Sequence, residues 1–151
     1  MEKVFLLDIG GTNVRYALAE KGNTSIEKIF KKNIGSESLD KLLEDLLSTE
    51  SGKVLNLVIS AAGPKLGGII KMTNRSYKID PNEIKEKFSL KECHLLNDWE
   101  SIAYGHAYLN QKDCINLINK EVSSYNKNSL YFGPGTGLGV SILLDDQIVI
   151  S

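Results

Sequence analysis

The stretch LLDIGGTNVRYAL, residues 6–18, joins two runs of strand-forming residues through the segment Asp-Ile-Gly-Gly-Thr-Asn. A tight hairpin needs only an Asn-Gly or Asp-Gly pair at its turn, so this segment carries more chemistry than a turn requires. Glycines allow backbone N–H groups to approach a ligand closely, and a threonine hydroxyl adds a further donor. The stretch therefore predicts a hairpin whose turn binds phosphate.

A second glycine-rich turn repeats this plan. The stretch LYFGPGTGLGVSILL, residues 130–144, again places Gly-Thr between two strands. It has no Walker lysine, and its glycines do not fit GxGxxG in either possible frame. Two such turns favour a phosphate-binding role over two ordinary glycine hairpins. Asp8 would repel phosphate unless a cation lay between them, so the first turn also predicts Mg²⁺ held by Asp8, usually through water.

Composition limits the classes of protein that this chain can belong to. Its 151 residues are 42% hydrophobic and 25% charged, with a net charge of -1, which suits a globular protein of about one domain. That charge gives no support to nucleic acid as a partner. Apolar runs are far shorter than the ~20 residues of a membrane helix, so we expect no membrane partner and a cytoplasmic location. Cys93 and Cys114 fit no zinc or redox spacing and are interpreted as reduced core thiols.

Strand-like and helix-like patterns alternate along the chain, which predicts an α/β fold. A serine cap at Ser36 precedes a leucine stripe typical of an amphipathic helix, and Asp80-Pro81 with Glu83 predicts a capped second helix. Strands are predicted at 4–7, 14–19, 26–34, 54–60 and 94–97, a third helix at 98–109, and further strands at 130–132, 140–144 and 147–150.

Four ordered segments resemble those of the bacterial glucokinase family, a branch of the actin–hexokinase superfamily. DIGGTNVR at 8–15 is similar to the first phosphate motif of that family, and GPGTGLGVS at 133–141 is similar to its second. LLNDWESIAYG at 95–105 resembles the catalytic segment. KMTNRSYKID at 71–80 resembles the sugar-side loop, with Tyr77 where a tryptophan is more usual, and AAGP at 61–64 also fits the order.

The resemblance implies an actin-like ATPase (ribonuclease H-like) fold, with a mixed sheet flanked by helices. It implies a small N-terminal lobe over residues 1–110 and an incomplete start of the large lobe over 111–151. Family members are substantially longer and carry a later Gly-Glu-Gly-Gly-His segment that is not found here. We therefore expect a truncated chain that is folded but inactive alone, and that self-associates as a homodimer or larger species through residues 129–151.

The reaction that the resemblance implies is transfer of the γ-phosphoryl group of ATP to the 6-hydroxyl of glucose, with Mg²⁺ as the metal. Asp98 is the predicted general base, and its plain alternative is a helix N-cap. Asn97 and Asn74 are predicted to bind the sugar, although Asn74 could equally form an Asx turn. Trp99 is predicted to pack rather than stack on sugar. The predicted nucleotide-binding residues are Asp8, Gly10, Gly11, Thr12, Asn13, Arg15, Gly133, Gly135, Thr136 and Gly137.

Several alternatives stay open from the sequence. Arg15 either supports the phosphate turn or pairs on the strand surface. The substrate could be another hexose or an amino sugar, and the chain could be a non-catalytic piece that binds sugar or nucleotide. A sugar-responsive repressor is disfavoured, because the first strand begins at Lys3 and leaves no room for a helix-turn-helix, and because no basic stripe is present.

Overall fold

The computed structural model describes residues 2–26, 28–48, 56–109, 112, 114–115, 117, 127–134 and 138–150. The chain divides into two compact units, Met1–Asp98 and Trp99–Ser151, which are described in turn. Within these ranges no helix has the length and apolar character that a membrane span needs.

The elements alternate between strands and helices, as predicted. In chain order the described residues form β1 (Lys3–Ile9), β2 (Asn13–Glu20), β3 (Phe30–Asn33), α1 (Leu39–Ser48), β4 (Asn56–Ala61), β5 (Lys65–Leu66), β6 (Ile69–Lys71), β7 (Lys78–Ile79), α2 (Pro81–Lys87), β8 (Glu92–Asn97), α3 (Asp98–Tyr104), a 3-10 turn (Gly105–Tyr108), β9 (Ser129–Pro134), β10 (Leu138–Leu144) and β11 (Ile148–Ile150).

The first unit is built on a five-stranded mixed sheet of order β3-β2-β1-β4-β8. Strand β4 runs parallel to both β1 and β8, whereas β2 is antiparallel to β1 and to β3. The parallel register pairs Ile9 with Ala61 and Ala61 with Asn97. Strands β1, β4 and β8 therefore end at the same edge of the sheet, which we call the carboxyl edge.

A continuous apolar core lies against this sheet. The burial pattern of β1 alternates with the period of two that a strand with one covered face requires. The leucine stripe of α1 is buried, as predicted. Burying a Leu or Phe side chain contributes about 1.5–3 kcal/mol relative to leaving it exposed. The largest fully buried hydrophobic side chains of this unit are Phe5, Ile9, Val14, Ile34, Leu42, Leu43, Leu57, Ile59, Ile70 and Ile79.

The structure confirms one of the two predicted helix caps and moves the other by two residues. The prediction of Ser36 as the cap of α1 is wrong, since Ser38 Oγ accepts the N–H of Lys41 at 3.2 Å. Gly35 has a φ of 57°, so the loop still turns at this point. At α2 the prediction of an Asp80 cap is confirmed, because its carboxylate accepts the N–H groups of Asn82 and Glu83 at 3.0 and 3.5 Å.

Two further differences concern short elements, and one predicted strand is described only in part. The third strand covers only Phe30–Asn33 rather than 26–34. The start of the strand predicted at 54–60 lies outside the described residues, and its described part is β4. The three-stranded sheet β5-β6-β7 was not predicted, since strands of two or three residues are too short to show a period.

The second unit contains α3 from Trp99 onward, the 3-10 turn and a three-stranded antiparallel sheet of order β11-β10-β9. The helix predicted over 98–109 is regular only to Tyr104 and then tightens into the 3-10 turn. Ser141 is fully buried on β10, and its hydroxyl donates to the backbone carbonyl of Trp99 at 2.8 Å.

The two cysteines differ in environment. Cys93 is half-buried in the first unit, and burial raises the pKa of its thiol to about 11, so the thiol stays protonated near neutral pH. Cys114 is exposed, so the prediction of a core thiol is wrong for this residue.

Candidate functional site

The carboxyl edge of the five-stranded sheet gathers most of the residues that the sequence predicted as functional. The turn after β1 carries Gly10 to Asn13, and β8 ends at Asn97 with Asp98 following as the first residue of α3. Asp8 lies one residue before the end of β1. Ligands of open α/β sheets bind outside the carboxyl ends of the strands, so this edge is the candidate site of the first unit.

The first glycine turn is closed by its own backbone hydrogen bonds. Gly10 N–H donates to the carbonyl of Asn13 at 2.9 Å, and Ile34 N–H donates to the carbonyl of Thr12 at 3.0 Å. A Cβ atom on Gly10 would lie 3.3 Å from the Asn13 oxygen, which is a tight contact. The N–H of Gly10 is therefore used within the turn. The predicted binding of phosphate would then depend on the N–H groups of the later residues of the turn.

Asp8 and Arg15 face each other across β1 and β2. They are direct partners in the antiparallel register, and Arg15 Nη1 lies 3.1 Å from Asp8 Oδ2. Their side chains are 46% and 61% exposed, so the pair contributes little to stability, about 0–1 kcal/mol. Its effect is local, because the guanidinium offsets the negative charge of Asp8 beside a turn predicted to bind an anion.

The same pair bears on the predicted magnesium ion. Among the described residues no group of three or more His, Cys, Asp or Glu side chains is placed to hold a metal. Mg²⁺ is commonly bound by one or two carboxylates together with substrate phosphates and water. A half-exposed carboxylate at the base of the turn fits that pattern, so Asp8 remains a suitable ligand for an ion that arrives with a nucleotide.

Asn97 is fixed by a residue that the sequence interpretation did not single out. Its Nδ2 donates to the carbonyl of Gly63 at 2.8 Å. Gly63 has a φ of 150°, and a Cβ atom there would lie 2.8 Å from the carbonyl oxygen of Lys71. Only glycine fits both constraints. The AAGP segment was the available signal, and its glycine orients the amide of Asn97 at the carboxyl edge.

Asp98 occupies the first turn of α3 and is partly buried. A carboxylate at this position is favoured by the helix dipole, so Asp98 would stabilise the start of α3 whether or not it is catalytic. Its placement directly after a parallel strand is also the placement that a base at a ligand cleft requires. The general-base role stays a prediction.

Asn74 and Arg75 bring the predicted sugar-side loop to the first glycine turn. A Cβ atom on Gly11 would be in ordinary contact with the Asn74 side chain, 3.5 Å from Nδ2. Arg75 Nε donates to the carbonyl of Gly11 at 2.6 Å, and Nη1 donates to the carbonyl of Gly35 at 3.0 Å. In the sequence, Arg75 was marked only by its position next to Asn74 in the predicted sugar-side loop.

In the second unit, the glycines of the β9–β10 hairpin accommodate Trp99. Gly133 and Gly139 are direct cross-strand partners. A Cβ atom on Gly133 would lie 2.7 Å from Trp99 Cζ2, and one on Gly139 would overlap Trp99 Nε1. The prediction that Trp99 packs is confirmed. The nucleotide role of Gly133 stays a prediction, and Gly135, Thr136 and Gly137 lie outside the described residues.

Comparison with known proteins decides the family. The model of the glucokinase family matches residues 5–149. The chain belongs to the glucokinase family. Glucokinase from Tolumonas auensis is 31% identical over 145 residues, which cover 95% of this chain and 44% of that protein. The chain therefore spans less than half the length of this curated relative.

Solved structures agree on the fold. The crystal structure of glucokinase from an Antarctic psychrotroph matches all of this chain and 50% of its own, with a TM-score of 0.82 and 27% identity. A ROK family glucokinase from Streptomyces griseus, solved in complex with glucose and AMPPNP, matches 96% of this chain and 45% of its own, with a TM-score of 0.67 and 17% identity. The actin-like ATPase fold predicted from the resemblance is confirmed.

The packing of Trp99 on the glycine pair of this glucokinase-family chain can be tested by fluorescence, because the chain has a single tryptophan. Gly139→Ala places a methyl group where the indole lies. We expect red-shifted emission, stronger acrylamide quenching and a loss of about 1–3 kcal/mol in unfolding free energy, the usual cost of overpacking.

Gly105→Ala is the matched control for this variant. A Cβ atom at Gly105 meets no heavy atom within 4 Å, so the emission of Trp99 should not change. Equal spectra for Gly139→Ala and the unmodified chain would show that the indole does not lie on the hairpin.

Proposed function

We propose that this chain is the phosphate-turn and catalytic-aspartate part of a cytoplasmic, ATP-dependent glucokinase, which converts glucose to glucose 6-phosphate in glycolysis. One observation carries the proposal: in a member of this family, the glycine turn after β1 and the Asn97-Asp98 pair at the end of β8 lie at the same edge of one mixed sheet, where the parallel strands β1, β4 and β8 end. Since the chain matches about half the length of its relatives, the whole activity is proposed for the enzyme that includes the remaining length.

The phosphate end of ATP is assigned to the first turn. Backbone donors of Gly11 and Thr12, with the Thr12 and Asn13 side chains, suit anionic oxygens. Asp8 would hold Mg²⁺, which when bound neutralises charge on the phosphates, and Arg15 limits the repulsion between Asp8 and the nucleotide. The neighbour from Streptomyces griseus was solved with AMPPNP and glucose, which supports this pair of ligands.

The sugar end of the reaction is assigned to Asp98. In the proposed step the Asp98 carboxylate accepts the proton of the glucose 6-hydroxyl, and that oxygen forms a bond to the γ-phosphorus. The bond from the γ-phosphorus to the bridging oxygen breaks, and ADP leaves. Asn97 and Asn74 are proposed to bind sugar hydroxyls. Asn97 is well suited, because its contact with Gly63 fixes the orientation of the amide.

The lobe assignment remains part of the proposal. Residues 1–110 are proposed as the small lobe and 111–151 as the start of the large lobe, which carries the second phosphate motif. Gly133, Gly135, Thr136 and Gly137 are proposed to contact phosphate from that motif. Gly133 has a second function in this account, since it also makes room for Trp99.

The base assignment predicts a specific kinetic defect. In an enzyme that combines this chain with the remaining length of its relatives, Asp98→Asn keeps the size of the side chain but removes the proton acceptor. We expect kcat to fall by about 10²–10⁴-fold, the usual contribution of a general base. Glucose affinity, measured by calorimetry, should change only a few-fold.

Glu100→Gln supplies the control, because it removes a carboxylate from the same helix two residues further on. Its kcat should stay near that of the unmodified enzyme. Normal turnover of Asp98→Asn would contradict the base assignment and leave the residue with a purely structural role at the start of α3.

Self-association is proposed for the sheet of the second unit. Alternate residues of β9, β10 and β11 form one apolar face that is exposed, with Leu130, Phe132 and Leu138 at 59%, 64% and 69%. Val140 and Ile150 continue this face. Monomeric proteins rarely leave a contiguous apolar patch of this kind uncovered, and unpaired sheet edges add to the tendency.

Light scattering of the purified chain should therefore show a dimer or a larger species. Phe132→Ser should shift the distribution towards the monomer, because it places a polar side chain in the centre of the apolar face. Leu66→Ser removes an apolar side chain from β5 in the first unit that is even more exposed, at 75%, and should have no such effect. A chain that stays monomeric at high concentration would contradict this proposal.

A further inference from the structure

Arg75 lies between two backbone turns of the first unit and binds the carbonyl groups of both. Its Nε donates to Gly11, within the first glycine turn, at 2.6 Å. Its Nη1 donates to Gly35, in the loop that precedes α1, at 3.0 Å. The planar guanidinium is suited to this geometry, since it presents several donors in a fixed arrangement that a lysine cannot reproduce.

The guanidinium is itself held in position by a buried aromatic ring. Arg75 Cζ lies 5.4 Å from the centroid of the Tyr77 ring, within the range of a cation–π contact. Tyr77 is only 7% exposed, and its hydroxyl donates to the carbonyl of Glu37 at 2.5 Å. The arginine is therefore preorganised before any ligand binds, because the loop that carries it is anchored on the core.

The contact with Gly11 determines the direction of a neighbouring donor. A trans peptide group is planar, and its C=O and N–H bonds point in opposite directions. The described peptide bonds are all trans. When Arg75 binds the carbonyl of Gly11, the N–H of Thr12 in the same peptide group must point away from Arg75. The positive charge also polarises the peptide, which makes that N–H a stronger donor.

The two hydrogen bonds that close the turn do not use the N–H of Thr12 as a donor. Gly10 N–H is already used in the bond to Asn13, and the carbonyl of Thr12 accepts from Ile34. The bonds made by Gly10 and Ile34 shape the turn on both sides of the Gly11–Thr12 peptide, and the Arg75 contact sets the rotation of the peptide itself.

We propose that Arg75 is the positioning residue of the first phosphate turn: it orients the Gly11–Thr12 peptide so that Thr12 N–H meets the terminal phosphates of a nucleoside triphosphate. The inference rests on the proposed function. It also links the two substrate loops, because Arg75 follows Asn74, whose side chain lies against Gly11. Phosphate at the turn then favours the conformation of residues 72–77 that presents Asn74 to the sugar.

The test compares Arg75→Met with Lys78→Met. Lys78 is a nearby cation on β7 whose ammonium pairs with Glu83 at 2.7 Å, so its removal controls for loss of charge. Without ligand, we expect amide hydrogen exchange at Gly10 and Ile34 to rise about tenfold in Arg75→Met, the effect of losing a hydrogen bond to a charged group. In Lys78→Met both rates should stay within about twofold of those of the unmodified chain.

The ligand arm uses magnesium tripolyphosphate, titrated while the Thr12 amide is followed by NMR. Arg75→Met should weaken binding about tenfold, consistent with the loss of one oriented donor, and Lys78→Met should bind like the unmodified chain. Arg75→Lys, which keeps the charge but lacks the planar guanidinium that binds both carbonyl groups, should be intermediate. It also supplies the comparison if Arg75→Met fails to fold.

The results of these experiments distinguish the positioning role of Arg75 from the binding of phosphate at the first turn. If the unmodified chain binds tripolyphosphate and Arg75→Met or Arg75→Lys binds equally well, the positioning role is wrong while the proposed function stands. If the unmodified chain shows no binding at the first turn, the assignment of phosphate to this turn in the proposed function fails, and this inference fails with it.

Discussion

Hydrogen bonding between β4 and its two parallel neighbours brings the first glycine turn and the Asn97-Asp98 pair to the same edge of the sheet. The register pairs Ile9 with Ala61 and Ala61 with Asn97, so the turn after β1, the AAGP segment that begins at the end of β4 and the Asn97-Asp98 pair at the end of β8 leave the sheet at one edge. A slip of one residue would move each strand's apolar side chains to the opposite face. The core of Phe5, Leu57 and Ile59 therefore opposes such a slip.

Glycine serves packing as much as ligand binding in this chain. Gly63 allows β6 to approach closely and offers its carbonyl to Asn97. Gly133 and Gly139 make room for Trp99 in the second unit. Gly10 is confined by the oxygen of Asn13, whereas a Cβ atom at Gly11 would meet only the Asn74 side chain at ordinary distance. A motif rich in glycine thus contains positions with different physical demands, and the ligand need not impose all of them.

Much of the first unit could be predicted from the sequence, because its signals are local. The strand–turn–strand pattern at 6–18, the leucine stripe of α1 and the cap at Asp80 each depend on residues a few positions apart. The cap of α1 was predicted at Ser36 although Ser38 forms it. Both serines precede the leucine stripe, and the sequence alone does not show where the loop turns after Gly35. The contacts of Arg75 with Gly11 and of Asn97 with Gly63 span 64 and 34 positions, and no local pattern reports such distances. The strands β5–β7 were missed because they are too short to show a period.

We propose that a nucleotide's phosphates bind at the carboxyl edge, between the first glycine turn and Asn97-Asp98. Manganese can replace magnesium in the nucleotide complex, and its unpaired electrons broaden the NMR signals of nearby amides. Titration of the labelled chain with Mn²⁺–ATP should broaden the amides of residues 10–13 and 97–98, while those of α2 keep their intensity. Broadening centred on any other part of the first unit, with residues 10–13 unaffected, would contradict the account.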